Sequence, residues 1–192
     1  MNKIASFVVL PLVLAGCAGS NFDIARRMDA LHDYKGADAG VVVASEGGEH
    51  GHFDASGVAF QRVGSEDLLD FASKVRSMMG TPDHDWEQSS TIGNVFVRRL
   101  PPGDYEAVFA HGEQYSNGGW VRRPLKPGVR FTVKPGETVY IGRYVVGESH
   151  MAPIVIVSDH QADDLAVAKK KVPELPVDAV ASQVPPPGQR RL

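Results

Sequence analysis

The chain has a single cysteine, Cys17, among 192 residues. One thiol excludes an intramolecular disulfide framework and any cysteine-rich metal cluster. Basic residues are not in excess: 20 Lys and Arg face 23 Asp and Glu, for a net charge of −3. That balance lacks the electrostatic footprint of a nucleic-acid binder. No P-loop, no G-x-G-x-x-G and no G-x-S-x-G elbow occurs. The only long apolar run, Ile4 to Leu14, is shorter than the roughly 20 residues that span a bilayer, and Pro11 interrupts it. What remains is a chain 43% hydrophobic and 22% charged, with 20 Gly and 13 Pro. This composition suits one modest globular domain.

Residues 1–16 have a short cationic start, a short apolar core and small residues at the end. That is the layout of a secretory signal peptide. Leu14, Ala15, Gly16 and Cys17 resemble the bacterial lipobox. The resemblance implies cleavage before Cys17, lipid on its thiol and acylation of the new N-terminus. Two or three acyl chains anchor firmly, at about 0.8 kcal/mol per buried CH₂. Ala18, where an inner-membrane retention signal would have Asp, implies the outer membrane, with the domain facing the periplasm. Removing residues 1–16 takes away only Lys3, which leaves 19 basic against 23 acidic residues.

Residues 17–38 read as the lipidated N-terminus and a tether. Ile24, Met28 and Leu31 could line one short amphipathic helix, but a tether is the preferred reading. From Gly40 the period changes. Val41 to Ala44 suit a buried strand, and Val58 and Phe60 alternate in a second; the two are expected to form a hairpin over 40–63. Over 65–80, Leu68, Phe71 or Ala72, Val75 and Met78 or Met79 fit a helical face, with Ser65 as cap and Gly80 as stop. A strand around Leu69 to Ala72 is the competing reading. The helix is preferred for its Ala, Lys, Arg and Met content. Residues 81–92 read as an exposed loop.

Further strands are expected from Asn94 to Leu100, from Tyr105, around Val129 to Val133, from Val139 to Val146 and from Ile154 to Val157. In the strand from Val139, Val139, Ile141 and Val145 are expected to share a face. Turns at Pro102-Gly103, Pro127-Gly128 and Pro135-Gly136 separate several of them. A helix follows. Ser158 or Asp159 caps it, Asp163 and Asp164 lie in its first turn, and Lys169 to Lys171 lie in its last. Leu165, Ala168 and Val172 form its packing face, and Pro173 ends it. Residues 173–192 are Pro-rich and are expected to form an extended tail.

The units Leu100-Pro101-Pro102-Gly103-Asp104-Tyr105 and Lys134-Pro135-Gly136-Glu137-Thr138, each set between strands, resemble transthyretin-like modules, including carboxypeptidase regulatory-like domains. The resemblance implies an antiparallel Ig- or transthyretin-like β-sandwich, which together with the C-terminal α-helix read from its own pattern is expected to occupy 39–172; a helix inserted at 65–80 would depart from that sandwich. Tyr105, two residues after Gly103 of the Pro-Gly turn, is expected to point inward.

Few residues suggest chemistry. His50 and His52 share one face if extended, with Glu46, Glu49 and Asp54 near in sequence and His111, His150 and His160 elsewhere. Such a set would suit zinc, copper or nickel. The glycines around them favour a solvated turn. Asp83-His84-Asp85 lacks the Gly and distant Glu of a calcium loop. Trp86, Trp120, Tyr115 and Tyr34 are candidates for exposed docking aromatics. Arg98-Arg99, Arg122-Arg123 and Arg190-Arg191 are scattered pairs with no automatic patch. The expected role is non-enzymatic: a lipid-anchored binding or scaffolding module with no cofactor and an envelope protein as partner. A metal-binding lipoprotein using His50 and His52 is the alternative.

Overall fold

The computed structural model describes residues 31, 34–49, 53–77, 80–114, 119–124, 129–149 and 152–185. The chain is mainly β, with two sheets and one described α-helix. Sheet 1 contains β1 (Gly40–Glu49), β4 (Trp86–Gln88), β5 (Thr91–Leu100), β9 (Thr138–Ser149) and β10 (Ala152–Ser158), in the order β10-β9-β1-β5-β4. A short β11 (Ala181–Ser182) lies beside the start of β9. Sheet 2 contains β2 (Ala55–Arg62), β3 (Leu68–Lys74), β6 (Gly103–Gln114) and β7 (Gly119–Pro124), in the order β3-β2-β6-β7, with β8 (Arg130–Val133) also beside β6. The helix α1 spans Gln161–Lys171.

Three expectations need correction. First, β1 and β2 do not form a hairpin. β1 sits between β5 and β9 in sheet 1, while β2 pairs with β3 and β6 in sheet 2. The run Val41 to Ala44 is apolar on both faces, which suits a central strand covered on both sides. Second, residues 68–74 form strand β3, not a helix. Leu69 and Phe71 enter the core, and pairing with β2 outweighs helix propensity. Third, the pairing is not wholly antiparallel: β1–β9 and β9–β11 are parallel. Within 81–92, expected to be a loop, Trp86–Gln88 also pairs with Thr91–Gly93.

One apolar cluster joins the inward faces of both sheets, with Val42, Ala44, Ile92 and Ile141 from sheet 1 and Val58, Leu69, Ala107 and Val133 from sheet 2. Phe60 stands at its centre. Its ring meets Phe71, Phe131 and Tyr144 edge-on at centroid distances of 5.9, 5.3 and 5.6 Å. Such pairs add about 0.5–1.5 kcal/mol each beyond burial. Tyr105 does point inward, stacks on Phe131 and donates its hydroxyl to the Pro101 carbonyl at 2.7 Å. Burial pushes its phenol up to about 12. Gly103 opens β6 with φ +148°, outside the type II angle expected of it, and Pro127-Gly128 lies outside the described residues; at Pro135-Gly136, Gly136 has φ +70° and the Glu137 N–H reaches the Lys134 carbonyl. This is the left-handed i+2 position of a type II turn.

A bulge in β9 sets up everything on the outer face of sheet 1. The β1 register pairs Val43 with Tyr140 but Ser45 with Arg143, so one extra residue is inserted in β9. Gly142 takes that bulge with φ +110°. The insertion reverses the alternation. Tyr140 and Arg143, three apart, now share the outer face, while Ile141, Tyr144 and Val146 share the core. Val145, expected on the core face with Ile141, is only half-buried for this reason. Gly142→Ala is expected to cost about 1–3 kcal/mol, from an unfavourable backbone angle. A lowered Tm in thermal denaturation would check it.

The packed unit is longer at both ends than the 39–172 expected. Leu31 is buried in the main core, inside the expected tether. Beyond Lys171, Leu175 is buried, a 3₁₀ turn covers Val177–Ala179, and Gln183 exchanges hydrogen bonds of 2.8 and 2.9 Å with the Thr132 backbone. Residues 173–185 therefore pack on the sheets rather than hanging free, because their leucine and valines complete the apolar layer beneath α1. Residues 186–192 lie outside the described residues.

Candidate functional site

Several expected site residues lie outside the described residues: Leu14, Ala15, Gly16 and Cys17 of the lipobox, His50, His52, His150 and Tyr115. The side chain of Trp120 also lies outside them. The remaining expected metal candidates do not converge. Asp54 is paired with Arg76 at 3.0 Å. His111, on the outer face of sheet 2, holds Asp70 at 2.9 Å and lies over Gly57, where a Cβ would sit 2.3 Å from the ring nitrogen. His160 sits at the start of α1 on the other sheet. In Asp83-His84-Asp85, His84 Nδ1 meets the Pro82 carbonyl at 2.9 Å. Asp85 accepts the Val95 N–H at 2.7 Å and holds Lys171. That loop is a clasp between β4, β5 and α1.

Glu46 alone is drawn into the core region. It follows Val42 and Ala44 on the inward face of β1 and is fully buried. The Ser56 hydroxyl of β2 donates to its carboxyl at 2.7 Å, and the Ser73 hydroxyl of β3 donates to its backbone carbonyl at 2.8 Å. The residue thus ties both sheets together. Burial pushes its carboxyl well above the usual range; hydrogen bonds from Ser56 and Ser73 oppose this, and the charge of Asp70 adds to it.

A second buried polar group holds α1 on the outer face of sheet 1. Asp164, fully buried, accepts from Arg143 and takes the Tyr140 hydroxyl at 2.7 Å. The Arg143 guanidinium lies 4.3 Å from the centre of the Trp86 ring. Trp86 in turn rests on Gly93, where a Cβ would meet the indole at 2.2 Å. Trp86 is therefore half-buried under an arginine, not a free docking aromatic. At the other end of α1, Lys171 bonds the Val95 carbonyl at 2.9 Å, and Lys169 bonds that of Leu175 at 2.8 Å. Asp164 and the lysines do more than balance the helix dipole; they form direct bonds.

The feature best shaped for a ligand is a groove of about 580 Å³ beside the C-terminal end of α1. That volume lies within the usual 300–1,000 Å³ range of small-molecule sites. Its apolar wall is built by Val41 and Val97 of sheet 1 and by Val172, Leu175 and Pro176 after the helix. Arg98, Arg99 and Glu174 line it as well. Arg98 curls back, with its guanidinium 5.2 Å from the centre of the Phe96 ring and a 3.3 Å bond to the Val97 carbonyl. Its Nε is buried with no hydrogen-bond partner among the described residues. Desolvation pushes this guanidinium below its ordinary pKa. Arg99 is exposed and reaches the Gly36 carbonyl at 3.3 Å. The Arg98-Arg99 doublet was visible in the sequence. The packing of residues 172–176 over Val41 and Val97, which no local signal announces, builds the groove; Arg98 leaves its strand on the face of Val42 and Phe96, and Arg99 on the face of Val41.

No family model and no curated protein matches the chain. Among solved structures, a leucine-rich repeat protein from Bacteroides thetaiotaomicron is similar over 59% of this chain and 14% of its own, at 14% identity and a TM-score of 0.34. Among the described residues, no helix is long and apolar enough to cross a membrane.

Proposed function

We propose that this chain is a cell-envelope lipoprotein, held at the outer membrane through lipid on Cys17 and facing the periplasm. Its domain is a non-enzymatic binding or scaffolding module, with the membrane and an envelope component as partners. Leu14-Ala15-Gly16-Cys17 support the anchor. The observation that carries the binding role is the groove beside α1, whose apolar walls and few charged groups have the make-up of a small-ligand site. The shared apolar cluster and the inward Tyr105 after Pro-Gly support a β-sandwich of transthyretin-like type. The mixed pairing of sheet 1 departs from the wholly antiparallel form of that type.

Palmitate labelling followed by membrane fractionation tests the anchor. The wild-type chain is expected to take up label and to be trimmed before residue 17, and Cys17→Ala is expected to do neither. A Cys17→Ala chain processed to the same size and retained in the outer membrane would overturn the assignment.

The metal reading has its own test. Asp54 is paired with Arg76 and the Glu46 carboxyl accepts from Ser56, while His50 and His52 lie outside the described residues. Titration with Zn²⁺ or Cu²⁺ is expected to show no tight site. Tight binding abolished by His50→Ala with His52→Ala would reverse that expectation.

A further inference from the structure

We infer that the free edge of β5 at residues 97–99 takes an extended segment of a partner protein as an added strand, with an apolar residue opposite Val97 and an acidic residue opposite Arg99. The inference rests on the binding-module reading and names the kind of partner.

β4 covers β5 only as far as Gly93, whose carbonyl accepts the Asp85 N–H at 2.9 Å. Val95 is covered by side chains instead. Its N–H donates to the Asp85 carboxylate at 2.7 Å, and its carbonyl accepts from Lys171 at 2.9 Å. Backbone groups along an antiparallel strand point to alternate sides, and the β1–β5 register is unbroken from Gly40 with Leu100 to Glu49 with Thr91. Val97 and Arg99, in step with Gly93 and Val95, therefore also turn their N–H and C=O groups away from β1. The Val97 carbonyl meets only the guanidinium of Arg98 in its own strand, at 3.3 Å. The Val97 N–H and both Arg99 backbone groups have no partner among the described residues. A row of unpaired donors and acceptors is a template for another strand.

The groove lies where that strand would run. Neighbouring side chains leave a strand on opposite faces, so space bordered by Val97, Arg98 and Arg99 together lies beside the strand edge as well as over one face. On the outer face Val97 shares it with Val172 and Leu175, an apolar seat for the residue opposite Val97. Arg99 is exposed on that same face, and an opposite charge across strands stabilises the pair. A second copy fits badly. A two-fold pair centred on Arg98 or on Arg99 sets that arginine against itself, and one centred on Val97 meets Val95, already covered by Asp85 and Lys171. The chain's own end fits no better: residues 186–192 bring Pro186, Pro187, Arg190 and Arg191 and no acidic side chain.

The test titrates the full lipidated chain, in nanodiscs of zwitterionic phospholipid, with a fluorescein-labelled peptide Thr-Thr-Glu-Thr-Val-Thr-Thr. Laid antiparallel, it sets Glu opposite Arg99 and Val opposite Val97. Saturable binding at one site per chain is expected by anisotropy, with amide hydrogen exchange slowed across residues 97–99. Lys in place of the Glu should weaken binding roughly fivefold, and Arg99→Glu should invert that preference. N-methylation of the Glu and Val amides, which face β5, should cost roughly tenfold or more, while N-methylation of the Thr between them should not. Val97→Pro should weaken binding to a similar degree, because the N–H it removes faces away from β1.

Three results would overturn the inference: no saturable peptide binding, equal affinity for the Glu and Lys peptides in both wild-type and Arg99→Glu chains, or equal losses from the two N-methylation patterns. Binding that appears only after deletion of residues 20–30 would overturn it too, since the chain's own tether would then be the occupant. A photo-reactive residue in place of Val172 that captures an envelope component in whole cells, when the purified chain binds no peptide, would remove the added strand and leave the binding-module reading standing. Peptide binding as expected without Cys17-dependent palmitate labelling would support the added strand and remove only the anchor.

Discussion

Asp164→Ala is expected to destabilise the fold by about 3–5 kcal/mol, the usual cost of removing one partner from a buried ion pair. Asp164 is wholly inaccessible and the Arg143 side chain is 6% exposed, so solvent cannot replace the lost carboxylate. The damage is specific. Arg143 would be left as a buried cation on Trp86, and Tyr140 would lose the acceptor of its hydroxyl. Urea denaturation gives the number. A double variant, Arg143→Met with Asp164→Leu, removes both charges together and should recover much of the loss, because the mutual attraction of a buried pair roughly repays its desolvation. If the double variant is as unstable as Asp164→Ala, the cost does not come from a stranded charge.

Glu46→Gln has the opposite sign at neutral pH. Burial holds the Glu46 carboxyl well above its ordinary pKa, so the protonated form is the one the fold prefers. A group raised in the folded state contributes stability that is fully present below its unfolded pKa and is lost as pH rises through the folded value. The wild-type contribution therefore declines upward from the ordinary carboxylate range. Gln mimics the neutral acid and keeps an oxygen for the Ser56 hydroxyl. At pH 8 the variant should be more stable by about 1–3 kcal/mol, the scale of an unsatisfied buried polar group. Near pH 4 the two chains should converge. Denaturant midpoints across that range measure the difference, in which the other carboxylates cancel. A difference independent of pH, or a variant less stable throughout, would refute the account.

Glu46 also shows how much was readable in advance. It continues the even-numbered series of Val42 and Ala44 in a strand that runs on to Glu49, past the expected end at Ala44, and so lies on their inward face. What alternation could not show was that Ser56 and Ser73 would arrive from the other sheet to receive it. Asp164 was hidden for a different reason. An acidic residue in the first turn of a helix has a sufficient local explanation in the dipole, and that explanation masked its burial. Arg143 was hidden by Gly142. A strand read with strict period two puts residues 140 and 143 on opposite faces, and only the bulge brings both beneath Asp164.

From its own residues the sequence determined the strand-rich class, the turn at Pro135-Gly136, the inward Tyr105, a helix with Asp163 and Asp164 in its first turn and Lys169 to Lys171 in its last, and a buried strand at Val42 to Ala44. Each follows from a local preference: a backbone angle, a periodicity or charges matched to the helix dipole, although the N-cap of α1 is His160 rather than the expected Ser158 or Asp159. The tertiary structure decided which strands lie side by side, that residues 68–74 extend rather than coil, and that residues 173–185 pack back on sheet 1 to wall a groove beside α1. The physical reason is that side-chain periodicity records which face a residue presents but carries no information about the neighbour that covers it. Partners distant in sequence are chosen by the free energy of the whole packed arrangement.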